Sequence, residues 1–384
     1  MAFDQPSFSH NSDLTIGQKL WQINWALVLL LLIIGAVGVA MLYSAANGNM
    51  EPWAWRQMIR FAAGLLLMFA VAVVDIRFWF RWAYWFYLIC LALLGLVEVM
   101  GTIGMGAQRC IDLKIIQLQP SELMKVAMVL ALARYFHGLS QDEAPRLHQL
   151  VVPVAMALVP AALVLRQPDL GTAAMLLMVA GAVLFVAGIR MWKIAAVVAV
   201  GLAAIPIGWQ FLHEYQRQRV LTFLNPETDP LGAGYHILQS QIALGSGGLF
   251  GKGFLRGTQS HLNFLPEKQT DFIFTMLAEE FGLVGGLSLL GLYAMLFAYG
   301  FAIALMARNH FGRMLAIGVT ANLFLYVFIN IAMVMGLIPV VGVPLPLISY
   351  GGTAMIAVMF ALGLMISAYI HRDVRISRRG LSDD

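Results

Sequence analysis

A carboxylate at the edge of a long apolar run, with a second carboxylate inside that run, is the arrangement in this chain best suited to chemistry. The segment Phe264-Leu265-Pro266-Glu267-Lys268-Gln269-Thr270-Asp271-Phe272-Ile273-Phe274 leads into Glu279 and Glu280. Asp271 could simply favour the positive end of a helix dipole. Glu279 would lie roughly 80° around a helix from it and about 12 Å deeper. An acid at the water boundary above a second acid in the membrane reads as a site rather than a cap. Glu280 would point to nearly the opposite side and needs its own partner.

Three further clusters hold charges that cost several kcal/mol inside a bilayer unless paired or solvated. In the first, Gly106-Ala107-Gln108-Arg109 precedes Gln119-Pro120-Ser121-Glu122 and Lys125. Proline and an acid in the first turn suit a helix start, and Glu122 and Lys125 share a face at i and i+3. They form an ion pair that lets both residues enter the bilayer, or the polar wall of a cavity. The cavity is favoured, because an apolar pair would serve insertion better. In Arg166-Gln167-Pro168-Asp169-Leu170-Gly171-Thr172, Asp169 caps a helix, or Arg166 or Asp169 meets a polar head group at the outer interface; the residue types leave both open. The third cluster joins Gln218-Arg219, Asn225-Pro226, Gln239-Ser240-Gln241 and the glycines Gly245, Gly247, Gly248, Gly251 and Gly253. Glycine-rich backbone can approach phosphate. Without a Walker-type pair or a βαβ unit, tight turns are the better reading. Last, Pro344-Leu345-Pro346-Leu347-Ile348-Ser349-Tyr350-Gly351-Gly352-Thr353 predicts non-helical backbone at membrane depth, which is tolerated only where it lines a cavity.

The elements that must position these residues follow from composition. Of 384 residues, 60% are hydrophobic and 11% charged, with a mean hydropathy of +0.80; soluble domains carry about 25% charged residues. Soluble, disordered, collagen-like and disulfide-scaffold classes are excluded, and the unbroken apolar runs exclude a transmembrane β-barrel. At roughly 20 residues per crossing, the chain is expected to be an all-α polytopic membrane protein. Ten spans are predicted, at 25–45, 59–74, 78–100, 121–136, 150–165, 171–189, 192–212, 283–307, 312–337 and 350–370, the second and fourth being short. Cytoplasmic termini place 13 Lys and Arg on their own side against 5 on the short loops opposite, as the positive-inside rule requires. A polar cytoplasmic segment 1–24 without a cleavable signal pattern then precedes the membrane domain 25–370, and 371–384 forms a cytoplasmic tail. The long interval 213–270 is too apolar for disorder and reads as a folded extracytoplasmic cap holding a site. A net charge of +4 does not imply nucleic acid as a partner, because basic residues of membrane proteins gather on cytoplasmic loops. Two cysteines, Cys90 and Cys110, give no disulfide framework.

In their order and spacing these motifs resemble the SEDS family (shape, elongation, division and sporulation) over residues 20–375. Gly106–Arg109 with Asp112-Leu113, Gln119–Lys125, Gln167–Thr172, Gly245–Gly253, Phe264–Phe274 and Pro344–Thr353 carry the resemblance. Gly251-Lys252-Gly253, Gly257-Thr258-Gln259-Ser260, Phe264–Glu267 and Pro339–Pro344 are similar to the elongation branch rather than the division branch. One departure is Cys110, where the family has tryptophan. The resemblance implies a peptidoglycan glycosyltransferase of the bacterial inner membrane that polymerises lipid II into β-1,4-linked glycan for cell elongation, with its site facing outward. It also implies ten spans, a class B penicillin-binding protein and the elongation machinery as partners, and contact with nascent glycan and membrane lipids. For that reaction Asp271 suits the general base that deprotonates the acceptor hydroxyl. Arg109, Lys125, Arg219 and Lys268 suit the leaving pyrophosphate, and a divalent cation (Mg2+ or Mn2+) can share that task. Glu122, Asp169, Gln239, Ser240 and Ser349 are the expected supporting residues. Without a His/Cys cluster, a dedicated zinc site is not expected. A lipid II flippase and a non-catalytic scaffold are the competing classes, and only an enzyme would yield glycan strands from purified lipid II.

Overall fold

The computed structural model describes residues 15–100, 102–104, 107–112, 117–139, 147–203, 210, 217, 221–223, 233–261 and 267–377. A short helix α1 (Ile16–Trp21) leads into α2 (Trp25–Ala45), α3 (Ala54–Val73) and α4 (Ile76–Met100). Strands β1 (Thr102–Gly104), β2 (Ala107–Asp112) and β3 (Gln117–Leu118) precede α5 (Pro120–Gly138), α6 (Leu147–Arg166), α7 (Leu170–Val186) and α8 (Met191–Ala203). After α9 (Ala233–Ser246) and the single turn α10 (Thr258–His261) come α11 (Ile273–Met306), α12 (His310–Val334) and α13 (Gly352–Ile370). By length and composition, α2, α3, α4, α6, α11, α12 and α13 are long and apolar enough to cross a membrane.

Helix starts follow the local sequence. Asn24, Asp169 and Asn309 accept main-chain N–H groups of the first turns of α2, α7 and α12, and Pro120 opens α5. Helices α5, α12 and α13 are the most enclosed, with α12 packed on α5, α7, α11 and α13, and α13 on α3. Lipid provides little hydrophobic drive for helix association, so close approach through small residues does the work. Gly300 of α11 faces Thr320, Gly318 of α12 faces Val129 and Val183, and Gly363 of α13 abuts Met68 and Val71.

The structure departs from the expected elements at two places. The all-α expectation omits an antiparallel sheet of order β1-β2-β3 between α4 and α5, pairing Thr102 with Cys110 and Ile111 with Leu118. Helix α11 begins at Ile273, ten residues before the expected span, and turns sharply at Gly282 (φ 67°, ψ −161°). The acids Glu279 and Glu280 hid its first part, yet both are buried and bonded, so the helix runs through them. Helix α8 is described only to Ala203 of the expected 192–212. In the long interval 213–270 the described residues form α9, a glycine-rich turn, α10 and a closing turn at 267–272.

Candidate active site

The stretch 335–351 between α12 and α13 is non-helical, as its prolines and glycines predict, and forms a strap across the bundle. Its geometry depends on main-chain bonds to the turn that carries Asp271. The Ser349 hydroxyl donates to the Thr270 carbonyl (2.6 Å) and accepts the Leu345 N–H (2.8 Å). The Tyr350 N–H donates to the Gln269 carbonyl (2.8 Å). From α3, the Gln57 amide reaches the Ser349 carbonyl (3.1 Å). Leu347 holds φ at +66°, the left-handed backbone that persists in a non-glycine residue only where its surroundings over-determine it, often beside functional sites.

Asp271 is half-buried. One carboxylate oxygen lies 3.4 Å from where a Cβ on Gly342 would stand, and Gly342 has φ +71°. Its main-chain carbonyl accepts the Asn330 amide (2.9 Å), which also donates to the Val343 carbonyl (2.7 Å). Lys268, in the same turn, is buried, and loss of water pulls its ammonium below the usual lysine range. A buried cation and a half-buried carboxylate in one turn suit an anionic, sugar-bearing group.

A second polar group gathers on Tyr326, one turn before Asn330. The Lys125 ammonium pairs with Glu122 at 2.7 Å, with the two side chains only 1% and 6% exposed. The Tyr326 hydroxyl donates to the other oxygen of Glu122, and the Lys125 ammonium sits 4.2 Å over the Tyr326 ring. Asp169 caps α7 through the Thr172 N–H (3.1 Å) and accepts the Thr172 hydroxyl (2.9 Å). It also lies within electrostatic reach of Tyr326. Of the two readings of Asp169, the cap is therefore present. The strap closes over this cluster: Tyr326 lines a small cavity with Pro344, Leu347, Ser349 and Met355, and Gly171 abuts Val341.

The glycine run does not form a phosphate cradle. Its backbone clasps α11 instead, with the N–H groups of Lys252 and Gly253 donating to the carbonyls of Glu279 (3.0 Å) and Glu280 (2.9 Å). In return Leu283 and Val284 donate to Gly248 (2.9 Å) and Leu249 (3.1 Å). A Cβ on Gly251 would stand 2.1 Å from the Glu280 carbonyl oxygen, which explains the glycine. Gly251→Ala should destabilise by about 1–3 kcal/mol through overpacking, measured as a lower melting temperature in detergent; unchanged melting would mean the clasp yields.

Asp271 precedes α11, so its relation to Glu279 is not that of two residues on one helix. Residues 271 and 272 form a turn, so the helical count from Asp271 does not apply. Glu279 instead accepts Lys252 (2.7 Å), Thr258 (3.1 Å) and the Gln259 N–H (3.0 Å), and Glu280 takes the Ser44 hydroxyl. The Ser240 hydroxyl is shared with Thr275 (2.8 Å) and bonded to the Val334 carbonyl (2.8 Å), tying α9 to α11 and α12. Gln239 is half-buried beside it. Arg109 lies on β2 with its side chain outside the described part, and Arg219 lies outside the described residues. Among the described residues no three His, Cys, Asp or Glu side chains converge to hold a metal ion. The sequence reading missed Tyr326 and Asn330, whose signal was two polar residues four apart in an otherwise apolar stretch.

Residues 21–374 match the family described as cell cycle protein, which groups FtsW, RodA and SpoVE. The peptidoglycan glycosyltransferase MrdB of Escherichia coli (strain K12) is 48% identical over 348 residues, covering 90% of this chain and 93% of that protein. The peptidoglycan glycosyltransferase RodA of Treponema pallidum (strain Nichols) is 32% identical, covering 90% and 96%. A solved structure described as structural coordination of polymerization and crosslinking by a peptidoglycan synthase complex matches with a TM-score of 0.79 at 35% identity, covering 91% of this chain and 98% of its own. The Thermus thermophilus rod shape determining protein RodA matches with a TM-score of 0.70 at 32% identity, covering 92% and 98%. The strap, the turn bearing Asp271 and the Glu122–Lys125 pair all fall inside the matched residues, and the chain belongs to the FtsW/RodA/SpoVE family.

Proposed function

We propose that this chain is a peptidoglycan glycosyltransferase that polymerises lipid II into β-1,4-linked glycan for cell elongation, with Asp271 as the general base. The observation that carries the reading is the half-buried Asp271 carboxylate, held against Gly342 of the strap in the turn that also carries the buried Lys268. The acceptor 4-hydroxyl is a poor nucleophile until a carboxylate within hydrogen-bond reach takes its proton. The freed oxygen bonds the anomeric carbon of the donor as the bond to pyrophosphate breaks, and undecaprenyl pyrophosphate leaves. A single displacement turns an α-linked donor into a β product, the stereochemistry of inverting transfer.

Lys268 and Lys125 are the described cations suited to the leaving charge, with Arg109 and Arg219 completing the set. Glu122 holds Lys125 and Tyr326 in place, Asp169 caps α7, Ser349 fixes the turn before Asp271, and Ser240 ties α9, which also carries Gln239, to α11 and α12. A divalent cation, Mg2+ or Mn2+, would be held chiefly by pyrophosphate oxygens, because of the two carboxylates in the turn Glu267 is taken up by Thr270 and Gln269, which leaves Asp271 as the hard ligand to add. When bound, it would neutralise developing phosphate charge.

Ten crossings with cytoplasmic termini put this site on the outer face of the inner membrane, in keeping with the charge asymmetry. In a background lacking Cys90 and Cys110, Phe250→Cys should react with an impermeant thiol reagent from outside and Arg375→Cys should not; the reverse pattern would sink the orientation. A class B penicillin-binding protein is the partner this reading requires, supported by the similar structure described as coordinating polymerization and crosslinking. Purified chain, alone and with that partner, given lipid II in detergent should yield glycan strands. Movement of lipid II across vesicles without product would identify a flippase, and neither outcome would leave a scaffold.

A further inference from the structure

Asn330, four residues before the end of helix α12, has no exposed surface. Its amide nitrogen donates to two main-chain carbonyls that belong to different parts of the fold: Asp271 in the turn before α11 (2.9 Å) and Val343 in the strap (2.7 Å). Facing two carbonyls, only the nitrogen of the amide can point this way, so the chemistry of the pocket fixes the side-chain orientation. The amide oxygen has no hydrogen-bond partner among the described residues, so the residue is held by its two donors. Two further ties between turn and strap meet the residues before Asp271: Ser349 reaches Thr270, and Tyr350 reaches Gln269. Asn330 alone among these grips the residue that bears the carboxylate. The adjacent Gly342, one residue from the second carbonyl, stands against that carboxylate.

We infer that Asn330 is a positioning residue for the transfer reaction, a two-carbonyl clip that sets the distance from the Asp271 carboxylate to the strap. The inference rests on the assignment of Asp271 as the base. It makes the clip act on geometry alone, because Asn330 bonds the main chain of Asp271 and not its carboxylate. A misplacement of about 1 Å at a reacting group can cost about 10²-fold in rate. The loss should fall on kcat and leave substrate binding in place.

The test compares purified variants in polymerisation of lipid II, with kcat, KM and melting temperature measured for each. Asn330→Ala should lower kcat about 10²-fold with KM within threefold of the parent. Asn330→Ser keeps one donor in a smaller side chain; it should fall between the two, and it decides the matter if the alanine variant does not fold. Asn309→Ala is the matched control. Asn309 donates to the carbonyls of Val374 (3.2 Å) and His371 (3.5 Å) at the opposite end of the same helix, and also caps it. It should lower the melting temperature at least as much and leave kcat within threefold. Equal kcat losses at Asn330 and Asn309 would make the effect one of general stability and overturn the inference. So would a raised KM with retained kcat, or an unchanged kcat in Asn330→Ala. If Asp271→Asn itself polymerises normally, the base assignment falls first; if that variant is dead and Asn330→Ala is not, only the clip is lost.

Discussion

Asp271→Asn should insert, fold and hold its partner, yet polymerise lipid II roughly 10²- to 10⁴-fold more slowly, the loss that removal of a general base implies. The substitution keeps the size of the side chain and leaves the carbonyl that Asn330 grips untouched. What disappears is the acceptor for a hydroxyl proton. Glu267→Gln is the comparison that gives the result its meaning. Glu267 stands in the same turn at φ +54°, and its carboxylate accepts the Thr270 hydroxyl (3.0 Å) and the Gln269 amide (3.3 Å). Those are local turn bonds that a neutral amide oxygen can keep, so its polymerisation should stay within about tenfold of the parent, short of what base removal costs. Near-normal glycan synthesis by purified Asp271→Asn would move the base elsewhere, with Glu122 and Asp169 the next carboxylates to try.

The second large effect belongs to Glu122 and Lys125. With side chains 6% and 1% exposed, either alanine substitution leaves a buried charge without its counter-ion, at a cost of about 3–5 kcal/mol. Melting temperature and polymerisation should fall together. A charge-free double variant, Glu122→Leu with Lys125→Met, separates the two losses, because well-packed apolar replacements of a buried pair are often neutral or stabilising. Combined with Tyr326→Phe, which removes the hydroxyl that would lose its acceptor, it should regain most of the melting temperature. It should not regain glycan synthesis. Full activity in that triple variant would reduce the pair to a device for burying two polar residues.

The parts of this site that were legible in the sequence are those set by short-range rules. The i, i+3 spacing after Pro120 gave the Glu122–Lys125 pair, residue type offered the Asp169 cap as one of two readings, and the prolines of 344–346 announced the strap. What stayed hidden depends on contacts between distant segments. A hydropathy reading ends at charges, so Glu279 and Glu280 concealed the start of α11; the Lys252 ammonium and Ser44 hydroxyl that make those acids tolerable come from other parts of the chain. Asn330 and Tyr326 read as incidental polar residues in an apolar span until α5 and the strap are packed against them. The small sheet of 102–118 has too few residues for alternation to stand out.

The clasp of Gly247–Gly253 on α11 bears on how this region can vary over evolutionary time. Its four bonds join main-chain atoms, so side-chain replacement does not delete them; only added bulk can wedge them apart. A saturation library across 247–253 should therefore show a two-valued pattern. Gly247 and Gly251, whose missing Cβ atoms would each come within 2.1 Å of an α11 carbonyl oxygen, should accept nothing larger. The exposed Leu249 and Phe250 between them should drift freely, leaving two fixed glycines as the inherited trace of a backbone contact.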